Sequence, residues 1–166
     1  MCGVWFVAGF ANDTSHAQCK MSDSREYPAR PIPGVGVIAF QGENFLLIQR
    51  GKPPRAGEWS IPGGAVELGE AVRDAALREF AEECGGEIEL RDLVDAVDIF
   101  WEDDDGRLKY HYVVIDYWAE WRGGELQAKS DVLDARWVSF QELEQYDLPL
   151  WTQAVIEKAD AMRKRK

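Results

Sequence analysis

Two short apolar runs, residues 34–40 and Asn44–Arg50, are split by Gln41-Gly42-Glu43, which predicts a strand, a turn and a strand. Residues 51–63 then carry Pro53, Pro54, Gly57, Pro62 and Gly63, a density of breakers that predicts an irregular binding loop. Helical spacing follows over residues 71–84. Downstream, the runs 88–101 and 108–121 flank Asp103-Asp104-Asp105-Gly106-Arg107, and the second is rich in Tyr, Val, Ile and Trp, so together they predict a long hairpin. A strand over 135–139, a short helix over 141–145 and a C-terminal helix over 151–162 complete the pattern. Strands and helices in this order imply an α/β domain built on a mixed sheet covered on both faces.

A chain of 166 residues with 46% hydrophobic content is long enough for one well-packed domain, and no internal repeat divides it. Residues 1–30 read as a disordered N-terminal extension and 31–166 as the domain. Because Met21 opens a polar segment running into the first strand, residues 1–20 also read as an over-extended reading frame. The apolar stretch 4–11 is too short to span a membrane and lacks a basic flank, so neither a signal peptide nor a membrane partner is expected. A formal net charge of −11 argues against a nucleic-acid partner held by a basic surface. Small nucleotides suit that charge better, met by bound metal and a few local cations. The basic run 163–166 reads as a solvated helix tail. Cys2, Cys19 and Cys84 are odd in number and lack metal-ligand spacing, which fits a reducing, cytoplasmic setting. A homodimer is left open.

The predicted helix carries the chemistry. Glu79, Glu82 and Glu83 fall within an arc of about 100° around it, on a stripe shared with Val72, Ala75 and Ala76. Their mutual repulsion, in the last turns where the helix dipole already disfavours negative charge, calls for a cation. An oxygen-only donor set suits Mg²⁺ or Mn²⁺ rather than Zn²⁺. The bland alternative is a charged helix end held by Lys or Arg. Arg78 reads as a residue that orients carboxylates, with Asp74 at i−4, and Glu70 as either a helix-start acid or a further functional group.

Gly64, Glu70, Arg78, Glu79, Glu82, Glu83 and Gly85 stand at the spacing Gly-x5-Glu-x7-Arg-Glu-x-x-Glu-Glu-x-Gly. The segment 64–86 therefore resembles the Nudix box, with Phe80 and Gly86 at positions where that pattern has bulky aliphatic residues. The likeness extends through Gly57 to Gly63 and more loosely over 31–161. It implies a three-layer α/β/α Nudix sandwich and a hydrolase that cleaves a pyrophosphate linkage in a nucleoside diphosphate joined to another group. It further implies metal held by Glu79, Glu82 and Glu83 with the backbone carbonyl of Gly63, and catalytic roles for those glutamates with Arg78. Glu79 is a ligand, a base or both.

Around this centre, Arg50 and Arg55 are the nearest cations for phosphate, and Trp59 offers a face for a base, against the bland readings of solvated loop and core. Glu102, Asp103, Asp104 and Asp105 at the hairpin tip and Glu125 and Asp131 after Gly123-Gly124 lie in two loops either of which can reach the metals, and the tip acids read as solvated turn residues. His111 reads as structural, and with His16 as the only other histidine, a Ser-His-Asp hydrolase is disfavoured. ADP-ribose or a related ADP-sugar is favoured as substrate, although Glu102 stands where ADP-ribose hydrolases of the family often have proline. A nucleoside triphosphate pyrophosphatase and a catalytically silent nucleotide-sensing or interaction domain are the alternatives.

Overall fold

The computed structural model describes residues 25–53 and 55–165. The expectations for residues 1–20, Cys2, Cys19 and His16, like Pro54 and Lys166, fall outside the described residues. The strands are β1 Ile32–Gln41, β2 Asn44–Arg50, β3 Trp59–Ser60, β4 Gly63–Ala65, β5 Glu87–Glu102, β6 Leu108–Gly123 and β7 Val132–Val138. Helix α1 spans Val72–Cys84 and α2 spans Leu150–Arg163, preceded by a 3₁₀ turn at Phe140–Tyr146. That turn starts with a capping box in which Ser139 and Glu142 satisfy each other's free backbone donors.

The strands join in the order β3-β2-β1-β6-β5, with β4 also paired to β1 and β7 to β2. Among the described strands only β1 and β6 run parallel, in a register that sets Gly34 beside Val114 and Gly36 beside Asp116. Alternation along β1 and β6 feeds two separate cores. Val35, Val37, Ala39, Tyr117 and Ala119 face Ala75, Ala76, Phe80 and Cys84 of α1. Ile38, Phe40 and Trp118 pack on the other side against Val155, Ile156 and Ala159 of α2. The sheet is thus the middle layer of an α/β/α sandwich. Among the described residues no helix is long and apolar enough to cross a membrane.

Two local differences from the sequence pattern have physical causes. The stretch 51–63 is not wholly irregular, because Trp59-Ser60 pairs with Gln49 and Ile48, and Gly63 opens β4 against Gly36. Both are segments of two or three residues, too short to leave a strand pattern of their own, and their pairing comes from tertiary placement. The last strand begins at Val132, three residues earlier than the apolar run suggested, because β2 continues to pair with it as far as Arg50. At the far end of α1, Phe80 is fully buried with its ring centroid 6.3 Å from that of Trp121. A side chain at Gly86 would collide with the same indole. Trp121 therefore occupies the space that a side chain at position 86 would need.

Residues 25–30, placed by sequence in the extension, lie against the β5–β6 hairpin. The Tyr27 backbone N–H donates to the Lys109 carbonyl at 2.7 Å, and Tyr110 Oη donates to Glu26 at 2.6 Å.

Candidate active site

The last three turns of α1 bring the acidic stripe to the end of the sheet where β4 pairs with β1. Glu83 is buried, and one of its oxygens accepts the Gly63 backbone N–H at 2.8 Å. Burial pushes its carboxyl up to about 8; the Glu79 and Asp131 charges push the same way, while the Gly63 N–H and Arg50 oppose them. Glu79 lies over Gly64, where a Cβ would overlap its carboxyl group, so only glycine lets the β4 backbone come this close. Glu82 is half exposed.

Arg78 organises the group. Its Nε and Nη2 donate to the two oxygens of Glu70 at 2.8 and 2.9 Å, Nη1 donates to Glu79 at 2.9 Å, and Nη2 also reaches the Ala65 carbonyl at 3.2 Å. Glu82 lies 3.5 Å from Nη1. Asp74, the partner suggested by helical spacing, is replaced in this role by Glu70. Arg78, followed by the Glu67 backbone N–H, holds the Glu70 carboxyl down at about 2. The Glu70 carboxylate, and Glu79 after it, raise the Arg78 pKa further, so the guanidinium stays charged.

Glu79 and Glu83 open on a cavity of about 210 Å³ that also receives Gly63, Gly64 and Asp131. Arg50 and Arg55 line it too, and Arg55 sits 5.6 Å from the ring centroids of both Trp101 and Trp151. Arg55 also pairs with Glu58 at 2.5 Å. Arg50 Nε is buried with no hydrogen-bond partner among the described residues. Trp59 does not line the cavity: its ring meets Tyr146 edge-on at 5.0 Å, beneath the Arg136 guanidinium at 5.1 Å. Of the hairpin-tip acids, Asp103 accepts the Asp105 and Arg107 backbone N–H groups and the Tyr27 hydroxyl, as a turn residue does. The remainder of the cavity wall was not singled out from sequence. Trp101 closes β5, Trp151 and Thr152 belong to the first turn of α2, and Asp116 lies within β6.

Among the described residues no three His, Cys, Asp or Glu side chains are gathered into a ready ligand shell, because Arg78 draws Glu79 and Gly63 draws Glu83. A divalent cation nevertheless fits. Glu83 is a buried carboxylate whose ionisation is opposed by two further acids, the donors are all oxygen, and Gly64 leaves the approach open.

The fold and site define a three-layer α/β/α domain whose arginine-locked acidic helix forms one wall of a mixed polar and apolar cavity. A model of the NUDIX domain matches residues 30–159, and the chain belongs to the Nudix family. It is 31% identical over 126 residues to an ADP-ribose pyrophosphatase of Methanocaldococcus jannaschii, covering 75% of this chain and 72% of that protein. It is 28% identical to the nucleoside triphosphatase NudI of Escherichia fergusonii over 157 residues, 87% of each chain. The MutT protein of Methanosarcina mazei superposes with a TM-score of 0.68 at 23% identity, over 82% of this chain and 98% of that one, and shares the fold. The protein is a hydrolase of pyrophosphate bonds, in a family that generally uses divalent metals.

Proposed function

We propose that the protein is a Mg²⁺- or Mn²⁺-dependent pyrophosphohydrolase that cleaves a nucleoside diphosphate linked to another moiety, with ADP-ribose or a related ADP-sugar as the favoured substrate. The observation that carries this reading is the shared cavity: Glu79 and Glu83 line the same space as Arg50, Arg55, Trp101 and Trp151. A nucleotide presents a polyanion and an apolar ring within one molecule, and this wall offers a counterpart for each. The relative named ADP-ribose pyrophosphatase supports the choice of substrate.

Glu79, Glu82 and Glu83 with the Gly63 carbonyl would hold the metal, which supplies phosphate-charge neutralisation and a water of lowered pKa. Arg78 is positioned to keep Glu79 and Glu82 oriented while Glu70 anchors it from behind. Arg50 and Arg55 are the cations that meet phosphate oxygens. Glu79, whose carboxylate reaches the cavity, takes part as ligand or as base. Asp131 is the acid outside the helix that shares the cavity with it.

The likeness to NudI favours a second reading, a nucleoside triphosphate pyrophosphatase. A phosphate-release screen over ADP-ribose, other nucleotide sugars, dinucleoside polyphosphates and nucleoside triphosphates, with Mg²⁺ or Mn²⁺, separates the two. Turnover highest on ADP-sugars supports the first, and turnover confined to triphosphates replaces it with the second. A folded protein that hydrolyses none of them leaves a nucleotide-sensing domain.

A further inference from the structure

Between Tyr110 and Ala119, β6 carries a single acid, Asp116. Strand alternation sets it on one face with Tyr112 and Val114, and all three line the cavity. Opposite them β1 presents Gly34 and Gly36, in register with Val114 and Asp116. A Cβ on Gly36 would collide with Asp116 Oδ1 and Ile61, so the missing side chain is what gives the carboxylate its place. Further along the same face of β1, Ile38 and Phe40 belong to the core packed under α2.

Asp116 is only 3% exposed, and its Oδ1 accepts no hydrogen bond from any described residue. A buried acceptor left without a donor is costly, and such groups concentrate where a ligand completes them. The surrounding cavity wall includes Ile61, Val97, Ile99 and Val155, with Trp101 and Trp151 meeting edge-on at 6.1 Å. Apolar side chains of this kind suit the faces of a planar ring better than a hydroxyl-rich sugar. A carboxylate also repels phosphate, so Asp116 marks a part of the cavity from which phosphate is excluded.

We propose that Asp116 reads the nucleobase: its carboxyl group accepts an N–H hydrogen bond from an exocyclic amino group of a base lodged against this apolar wall. This rests on the reading of the cavity as a nucleotide site, and it adds the residue that selects among bases.

The test measures binding rather than turnover, with 5′-nucleoside monophosphates and EDTA present, by the tryptophan fluorescence of the full chain. AMP is compared with purine riboside 5′-monophosphate, and GMP with IMP; within each pair only the amino-bearing base carries the exocyclic donor. The wild type should bind the amino-bearing member of at least one pair ~10-fold or more tightly, because a buried acceptor discriminates strongly against a ligand lacking its donor. Asp116→Ala should reduce that ratio to within about threefold of unity, since it removes the accepting oxygens altogether. Equal wild-type affinities within both pairs overturn the proposal, and so does a ratio unchanged in a folded Asp116→Ala. The wild-type comparison decides alone if the variant does not fold. Selective binding without hydrolysis in the substrate screen removes the enzyme reading and keeps this one; hydrolysis without base selectivity does the reverse.

Discussion

Arg78 and Glu70 face each other through two parallel hydrogen bonds of 2.8 and 2.9 Å, although eight residues separate them and Glu70 lies before the first residue of α1. A bidentate pair fixes the guanidinium plane as well as its position, and that plane aims Nη1 at Glu79. Glu70 thus acts on the acidic stripe through Arg78. Glu70→Gln keeps the shape but removes one of the two bonds, because its amide NH2 cannot accept from Arg78, and releases the plane. Outer partners of metal ligands typically matter 10–100-fold, so kcat should fall by about that factor while KM moves little. Steady-state kinetics with saturating Mg²⁺ check this, and a change confined to KM would place Glu70 on the substrate side instead.

Metal dependence is tested at Glu83, the most buried of the three glutamates on the α1 stripe. Chelation should abolish turnover of the wild type. Glu83→Gln retains an oxygen for the Gly63 N–H, so the fold should persist, while activity drops by ~10²-fold or more and the rise in Tm on adding Mg²⁺ shrinks. Near wild-type turnover together with an intact Mg²⁺-induced rise would remove Glu83 from the ligand set.

Glu79 and the hairpin tip give opposite expectations. General-base loss costs ~10²–10⁴-fold in rate, so Glu79→Gln should lose at least two decades of kcat, whereas Asp104→Asn and Asp105→Asn stay within a few-fold of wild type. None of the tip acids lines the cavity. A tip variant that lost two decades with metal affinity unchanged would move the base into that turn.

What the sequence conveyed follows from how local each interaction is. The α1 stripe was legible because Ala75, Ala76, Phe80 and Cys84 repeat at helical spacing and Glu79 and Glu83 ride on the same face. The Glu70–Arg78 pair was not, because a helical wheel sets Arg78 about 80° round from Glu70 only if both are helical. Glu70 instead precedes the cap at Ala71 and binds back to the Glu67 N–H. Trp59 stood on the expected binding loop, yet the edge pairing of β3 turns its ring to Tyr146, 87 residues on, a contact no local pattern encodes. Asp116 left a readable signal, one acid in a run of Tyr, Val, Ile and Trp. Its meaning required knowing that Gly36 lies beside it.

The last prediction concerns Asp116 and pH. Burial, helped by the Asp95 charge, pushes its carboxyl up to about 7 in the fold, while an unfolded chain would ionise it near ~4. Asp95 is itself paired with Lys158 at 2.7 Å, so part of its field is offset. Between those two pH values the native state binds more protons than the unfolded state. The Asp116 contribution to stability is therefore fully present below about pH 4 and declines until pH 7, beyond which the whole penalty of a buried charge remains. Asn cannot ionise and escapes that decline. The stability of Asp116→Asn relative to wild type should thus rise as pH goes from 4 to 8, by up to about 4 kcal/mol for a shift of roughly three units at 1.36 kcal/mol each. Urea unfolding of both proteins in EDTA at a series of pH values isolates this difference, because every other titrating group is common to the pair. A difference that stays flat across the range would mean that Asp116 ionises at its ordinary pH in the fold, with a donor or solvent already meeting its carboxylate.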